Sequence, residues 1–262
     1  MASIALLRGQ TVLARAEAPG EAQLVYDGAY QPGDVLDIRA DSERAVVCVD
    51  ACVAAARVYL PQKRLRYRLP LENDNPAAYA PNAFAGNRHL ISVRPDLSNE
   101  YRNLALNPAD QRGETDAYPH ATANVETRNE SVFCARNVID GLLSARGHGE
   151  WPYQSWGIGT RTDACLTVDF GRQVWVDAMA LYLRADFPHD AYWVQGTVVL
   201  SDGFTLTFPL KGMDGAQRVE LGGHRVSWAR LERLIKCDMP SAFPALRQWE
   251  IYGQDEKEPR VP

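Results

Sequence analysis

Residues 148–156, HGEWPYQSW, carry three aromatic rings, Trp151, Tyr153 and Trp156, within nine positions. A glycine and a proline in the same stretch favour a loop over a regular helix or strand. Large rings on a loop have two uses. At the surface they offer a flat apolar face to the C–H side of a sugar ring, with His148, Glu150 and Gln154 as a hydrogen-bonding rim. Turned inward they plug a core. Trp156, beside Gly157, is the expected plug, and Trp151 and Tyr153 are the better ligand candidates.

Two further stretches gather polar chemistry. Residues 184–193, RADFPHDAYW, hold Arg184, Asp186, His189 and Asp190 next to two rings and Trp193. Paired carboxylates and a guanidinium suit adjacent hydroxyls of a polyol. Trp193 has even claims to ligand and core. Residues 118–130, YPHATANVETRNE, add His120, Glu126 and Arg128. If the three stretches converge, they make a charged site. Two arginines with histidines would suit a carboxylated or sulfated sugar. Histidines with carboxylates would also serve a metal-dependent hydrolase, but they are tens of residues apart without HExxH or HxH spacing. Mutual pairing in a rigidifying network under the loops is the plain competitor.

The rest of the chain bounds these options. It has 262 residues, 46% hydrophobic and 23% charged, enough for one large or two modest domains with a substantial core. The net charge of -5 gives nucleic acid no global attraction, so no nucleic-acid partner is expected. No apolar run approaches a membrane span. The start shows no secretory leader, which leads to the expectation of a cytoplasmic protein, or an extracellular one if a leader has been removed. Five cysteines without CxxC spacing read as small buried hydrophobes rather than as disulfides or a zinc ribbon. No P-loop, dinucleotide fingerprint or GxSxG elbow is present, and no nucleotide cofactor is expected.

Short extended runs position the candidate loops. In RLRYRL, period two puts Leu65, Tyr67 and Leu69 on a buried face and Arg64, Arg66 and Arg68 on the other. The arginine face has an anion-binding reading and a commoner one as a solvated face or guarded edge. Residues 73–87 read as a long loop and residues 94–103 as a join between domains. Beyond the join, ACLTVDFG stops at Gly171, QVWVDAMALYLR is a long strand, and Asp202-Gly203 marks a hairpin. Gly222-Gly223 reads as a turn, and one short helix is expected near residues 131–140. Many strands with almost no helix predict an all-β protein of two β-sandwich domains.

Asn103-Leu104-Ala105, Asn137-Val138-Ile139-Asp140-Gly141, the tryptophan-bearing loop, Leu166-Thr167-Val168-Asp169-Phe170-Gly171, Ser201-Asp202-Gly203 and Trp249-Glu250-Ile251-Tyr252-Gly253 follow one another in this order. That series resembles the discoidin, or coagulation factor 5/8 type C, family, whose bacterial members include many galactose-type carbohydrate-binding modules. It covers residues 103–253. The resemblance implies an eight-stranded antiparallel jelly roll with a ligand site built by loops at one end. It also implies a structural calcium, for which Asp140 and Glu250 match the family's positions. Here Leu142-Leu143-Ser144 follows the Asp-Gly turn where the family carries polar residues. Asp140 capping that turn and Glu250 on an exposed strand face therefore stand as an equal alternative.

The sequence thus predicts a small β-sandwich over residues 1–98, a discoidin-like jelly roll over 99–255 and a tail over 256–262. Its expected function is non-catalytic binding of a carbohydrate, with acidic sugars included. The expected site is His120, Glu126, Arg128, His148, Trp151, Tyr153, Trp156, Arg184, Asp186, His189 and Asp190. A sugar-acting enzyme or enzyme subunit, and a protein-interaction module, are the alternatives.

Overall fold

The structure is a computed structural model that describes residues 1–145, 147, 149–185 and 191–256. Its first eight strands are β1 (Ala2–Arg8), β2 (Thr11–Ala18), β3 (Ala22–Asp27), β4 (Asp34–Arg39), β5 (Arg44–Cys48), β6 (Ala56–Tyr59), β7 (Arg64–Arg68) and β8 (Arg88–Pro95). They form two four-stranded sheets, β2-β1-β4-β7 and β3-β8-β5-β6. Alternation drives the layering: Leu65 and Tyr67 on β7 are fully buried with Ile4, Leu6, Leu36 and Ile38, and the arginines of β7 face out. Each large side chain so buried contributes about 1.5–3 kcal/mol. Residues 73–87 are more than a connection, because Ala78, Tyr79 and Phe84 join this core around a short 3-10 turn at Asn75–Ala78.

The remaining strands are β9 (Arg102–Asn103), β10 (His120–Ala123), β11 (Trp156–Gly157), β12 (Leu166–Leu183), β13 (Trp193–Leu200), β14 (Thr205–Pro209), β15 (Ala216–Lys236) and β16 (Ala245–Gln254). They make one continuous eight-stranded antiparallel sheet, β11-β16-β12-β15-β13-β14, with β10 on β12 and β9 on β16. The register shows how one sheet closes a core. The start of β12, Leu166 to Asp169, pairs with β10 and the late part of β15, whereas Val174 to Leu183 pairs with β16 and the early part of β15. The β12–β15 pair therefore runs through both layers, bending where its register breaks between Asp169 and Val174.

Glycine chemistry explains why the sequence expectations stop short here. Gly171 does not end the strand: its φ of +67° makes an irregularity inside the 18-residue β12, and a Cβ there would lie 2.5 Å from the Tyr118 ring. Gly222 and Gly223, expected as a turn, both take positive φ within the 21-residue β15. Local sequence marks the break in conformation but not the pairing that carries on across it. The Asp202-Gly203 hairpin joins β13 to β14 as expected. The expected helix is instead two 3-10 turns, Ser131–Phe133 and Ala135–Ile139, separated by extended Cys134.

The two cores are tied together. Ala109 and Ala117 belong to the first core, and Tyr118 bridges to Tyr59. Asp255 accepts hydrogen bonds from Arg102 at 3.2 Å and from Arg172, and lies 3.9 Å from Arg44 of β5. All five cysteines are free. Among the described residues no helix is long and apolar enough to cross a membrane.

Candidate functional site

The aromatic loop and the 118–130 stretch meet through bonds between side chain and backbone. Trp156 Nε1 donates to the Val125 carbonyl at 2.9 Å, and Gly159 N donates to Thr127 Oγ1 at 2.8 Å. The 184–193 stretch joins at its first residue. Arg184 Nη1 donates to the Tyr153 carbonyl at 2.8 Å, Nη2 to the Gly147 carbonyl at 3.0 Å, and its guanidinium lies over the Tyr153 ring. Arg184 is 1% exposed, so its charge anchors the loop from below.

Beside this junction is a hollow of about 260 Å³. Phe133, Phe243 and Pro244 are its apolar walls, with Thr127, Arg128 and Ser155 as polar members over Gly157. Phe243 is 54% exposed. Ser155 is the reverse case: its hydroxyl is buried and has no hydrogen-bond partner among the described residues. Such an unsatisfied group costs about 1–3 kcal/mol. Arg128 takes a left-handed φ of +52°, which turns its side chain onto Glu130 in a two-bond pair at 2.6 and 2.7 Å and over the Phe133 ring. The Glu130 hydrogen bond raises the Arg128 pKa against the effect of burial, and the Glu130 charge and the nearby Tyr153 phenol add to it. The Arg128 charge is therefore paired, and Arg184 lines the hollow beside it.

The other expected site residues divide. Trp156 is fully buried and packs 6.1 Å from the Trp193 ring, so both are core. Trp156 is thus not a ligand platform, because its one polar atom is spent on Val125. Trp151 is half-buried, with its indole N–H inside and without an acceptor among the described residues, and Tyr153 is half-buried. Glu126 is committed to the interior: Oε1 accepts from Ala135 N at 2.8 Å, and Oε2 pairs with Arg112 at 2.7 Å. His120 lies elsewhere, lining a cleft with Arg66, Gly113 and Tyr118. Its Nδ1 meets buried Asp110 at 2.7 Å. Burial lowers the His120 pKa, but the Asp110 hydrogen bond and charge outweigh it and hold the ring above its usual value. The convergence expected of all three stretches thus holds for Arg128, Tyr153 and Arg184 and fails for His120. His148, Asp186, His189, Asp190 and the tail beyond Glu256 lie outside the described residues.

The calcium expectation meets the wrong donors. Asp140 is buried, and its Oδ1 accepts from Leu142 N at 2.8 Å and Gln248 Nε2 at 2.6 Å, with Gln154 Nε2 3.5 Å from Oδ2. These partners are N–H groups, whereas calcium needs six to eight oxygens. Burial pushes the Asp140 pKa up to about 6, although the Arg136 charge and the donors pull it down. Glu250 accepts from the Tyr252 hydroxyl at 2.7 Å and shows no contact with Asp140. Among the described residues no group of three or more His, Cys, Asp or Glu side chains fits a metal ion. Asp140 caps its turn and, through Gln154, holds the aromatic loop.

Sequence reasoning passed over Phe243, Phe133 and Ser155. The signal for Phe243 was present, since MPSAFP sets a lone ring between two prolines. Ser155 had no local signal.

No protein-family model matches the chain, and no curated protein matches it. Solved structures similar to it include chitosan-binding module 1 from a chitosanase/glucanase of Paenibacillus sp. IK-5, at 18% identity over 58% of this chain and 98% of that one, with a TM-score of 0.40. A second is the family 32 carbohydrate-binding module of C. perfringens NanJ in complex with galactose, at 15% identity over 50% and 91%, with a TM-score of 0.39. A third is the lectin domain of lectinolysin complexed with Lewis B antigen, at 14% identity over 57% and 94%, with a TM-score of 0.41.

Proposed function

We propose that this protein binds a carbohydrate without transforming it, and that one sugar ring sits in the hollow between Phe133, Phe243 and Ser155. The observation that carries this reading is the buried Ser155 hydroxyl, unpartnered among the described residues, on a residue that lines a small hollow together with two rings. A sugar hydroxyl would complete it, while the ring's C–H face packs on Phe243. Because Arg128 is already paired with Glu130 and Arg184 is held by two carbonyls, a neutral sugar suits the hollow better than an acidic one. Glu126, the candidate acid or base within the described residues, is bound to Arg112 and to a backbone N–H, which disfavours the enzyme reading.

Calorimetry against a panel of neutral mono- and disaccharides tests this. Ser155→Ala removes an unsatisfied group, so it leaves the melting temperature unchanged or higher while weakening affinity about tenfold, near 1.4 kcal/mol. Phe243→Ala weakens it comparably, and Leu97→Ala, at 88% exposure, is the control. Binding that both variants leave intact, or no heat with any sugar, would sink the proposal. Chromatography showing the sugar consumed would favour the enzyme instead.

A further inference from the structure

The outer face of β2-β1-β4-β7 has an unusual charge. On β7 the alternation that buries Leu65 and Tyr67 turns Arg64, Arg66 and Arg68 outward. The register then sets Arg39 opposite Arg64 and Asp37 opposite Arg66, and two strands on sets Arg15 and Glu17 on the same face. Five arginines thus meet two carboxylates, on a chain whose net charge is -5. Both carboxylates are taken: Asp37 accepts two bonds from Arg64, each 2.7 Å, and Glu17 pairs with Arg15. Arg39 and Arg66 are exposed and make no side-chain hydrogen bond or ion pair among the described residues, and Arg68 reaches Glu72 only at 3.7 Å.

A groove runs along the three arginines of β7. Residues 111–118 lie along the β7 edge: Gln111 bonds both the N–H and the carbonyl of Arg68, and Asp116 accepts from the Arg66 N–H. Three adjoining hollows of about 530, 590 and 440 Å³ follow that edge, and Arg66 lines all of them. Alternate residues on a strand stand about 6.6 Å apart, a spacing that lets successive arginines meet successive anionic groups of a polymer. The lining also includes the carboxylates Glu72, Asp74, Glu114 and Asp116, the Tyr118 ring, and amide and hydroxyl groups such as Asn73, Gln62 and Thr115, which pair with sugar hydroxyls.

We propose that this arginine face and its groove form a second site, which binds a polysaccharide bearing sulfate or carboxylate groups. The anion recognition stands independently of the neutral-sugar hollow; the choice of a sugar polymer over other polyanions rests on the carbohydrate reading above.

The full chain is titrated at several salt concentrations with dextran sulfate, polygalacturonate, uncharged dextran and duplex DNA. Wild type is compared with the triple variant Arg39→Gln, Arg66→Gln, Arg68→Gln and with Arg66→Gln alone. All three positions are solvent-facing, and unchanged thermal melting checks the fold. Binding to dextran sulfate or polygalacturonate but not to dextran is expected, weakened about tenfold or more in the triple variant at low salt. The dependence of log affinity on log salt should flatten by about one for Arg66→Gln and about three for the triple variant. Phe243→Ala should leave this binding unchanged, and the triple variant should keep neutral-sugar binding, so each site fails separately. Absence of binding to both anionic polymers at low salt, or undiminished binding by the triple variant, would overturn the site. Equal or tighter binding of DNA would overturn its assignment to a glycan.

Discussion

Replacing Asp140 by asparagine is expected to change stability in opposite directions at two pH values. The carboxyl lies beneath the aromatic loop and is held by Gln248, Leu142 and Gln154. Burial raises its pKa from 3.8 to about 6 in the folded protein. The native state therefore binds this proton more tightly than the unfolded chain does. The stability from neutral Asp140 is fully present below the unfolded value and is lost as pH rises through about 6. The interval between 3.8 and about 6, at about 1.4 kcal/mol per unit, sets a ceiling of roughly 3 kcal/mol. Asparagine keeps the shape and cannot ionise. Its amide oxygen can still face Gln248 and Leu142, but its NH2 then meets the Gln154 amide, a cost of about 1 kcal/mol. At about pH 3, below the unfolded value, the variant should be the less stable by roughly 1 kcal/mol, and at about pH 8 the more stable by up to roughly 2 kcal/mol. Urea denaturation of both proteins at both values reads this directly. A difference that stays the same at the two values, or one that moves further toward wild type at the higher pH, would refute the assignment of burial as the dominant influence on Asp140.

Asp255→Asn should cost about 2 kcal/mol, below the 3–5 kcal/mol of a fully buried pair because solvent reaches this site, and is read by thermal melting. Burial raises the Asp255 pKa, but Arg172, Arg102 and Arg44 more than offset this and hold it below the usual carboxylate value. The wild-type advantage is therefore present above about 3.8 and fades as pH falls through the lower folded value. Trp156→Ala should destabilise by about 4 kcal/mol, from a cavity at a fully buried indole plus the lost bond to Val125, as measured by denaturant midpoint. Gly253→Ala should prevent stable folding or move the β12–β16 register, because a Cβ there would sit 1.7 Å from the Trp175 carbonyl oxygen. Soluble yield and circular dichroism check it, and a variant that melts like wild type would contradict this pairing.

Where period two was strict, the sequence stated the fold directly. RLRYRL predicts the burial of Leu65 and Tyr67 and the exposure of Arg66 and Arg68, because each side chain's face follows from its parity alone. Asp202-Gly203 is equally local, since the turn needs a residue that takes positive φ without strain. Gly171 and Gly222-Gly223 carry the same local signal with a different outcome. Whether a positive φ ends a strand or bends it depends on partners far along the chain. Here β16 and β10 keep β12 paired on both sides of its irregularity.

The candidate site shows the same division. Residue types identified Trp151, Tyr153, Arg128 and Arg184 as chemistry worth finding, and their loops meet. Composition could not say that Arg184 would be sealed under Tyr153, that Glu126 would be spent on Arg112, or that His120 would face a different cleft with Asp110. Those outcomes are choices among partners for charges that cannot be buried alone, and the partners come from remote segments.

By itself, then, the sequence determined an all-β chain, the faces of its regular strands and the turns between them, because each follows from interactions within a few residues. Tertiary structure alone decided which polar groups are used up in holding the loops and which, like the Ser155 hydroxyl and the Arg66 side chain, make no hydrogen bond among the described residues. That distinction depends on what lies within about 3 Å through space, and no spacing along the chain encodes it.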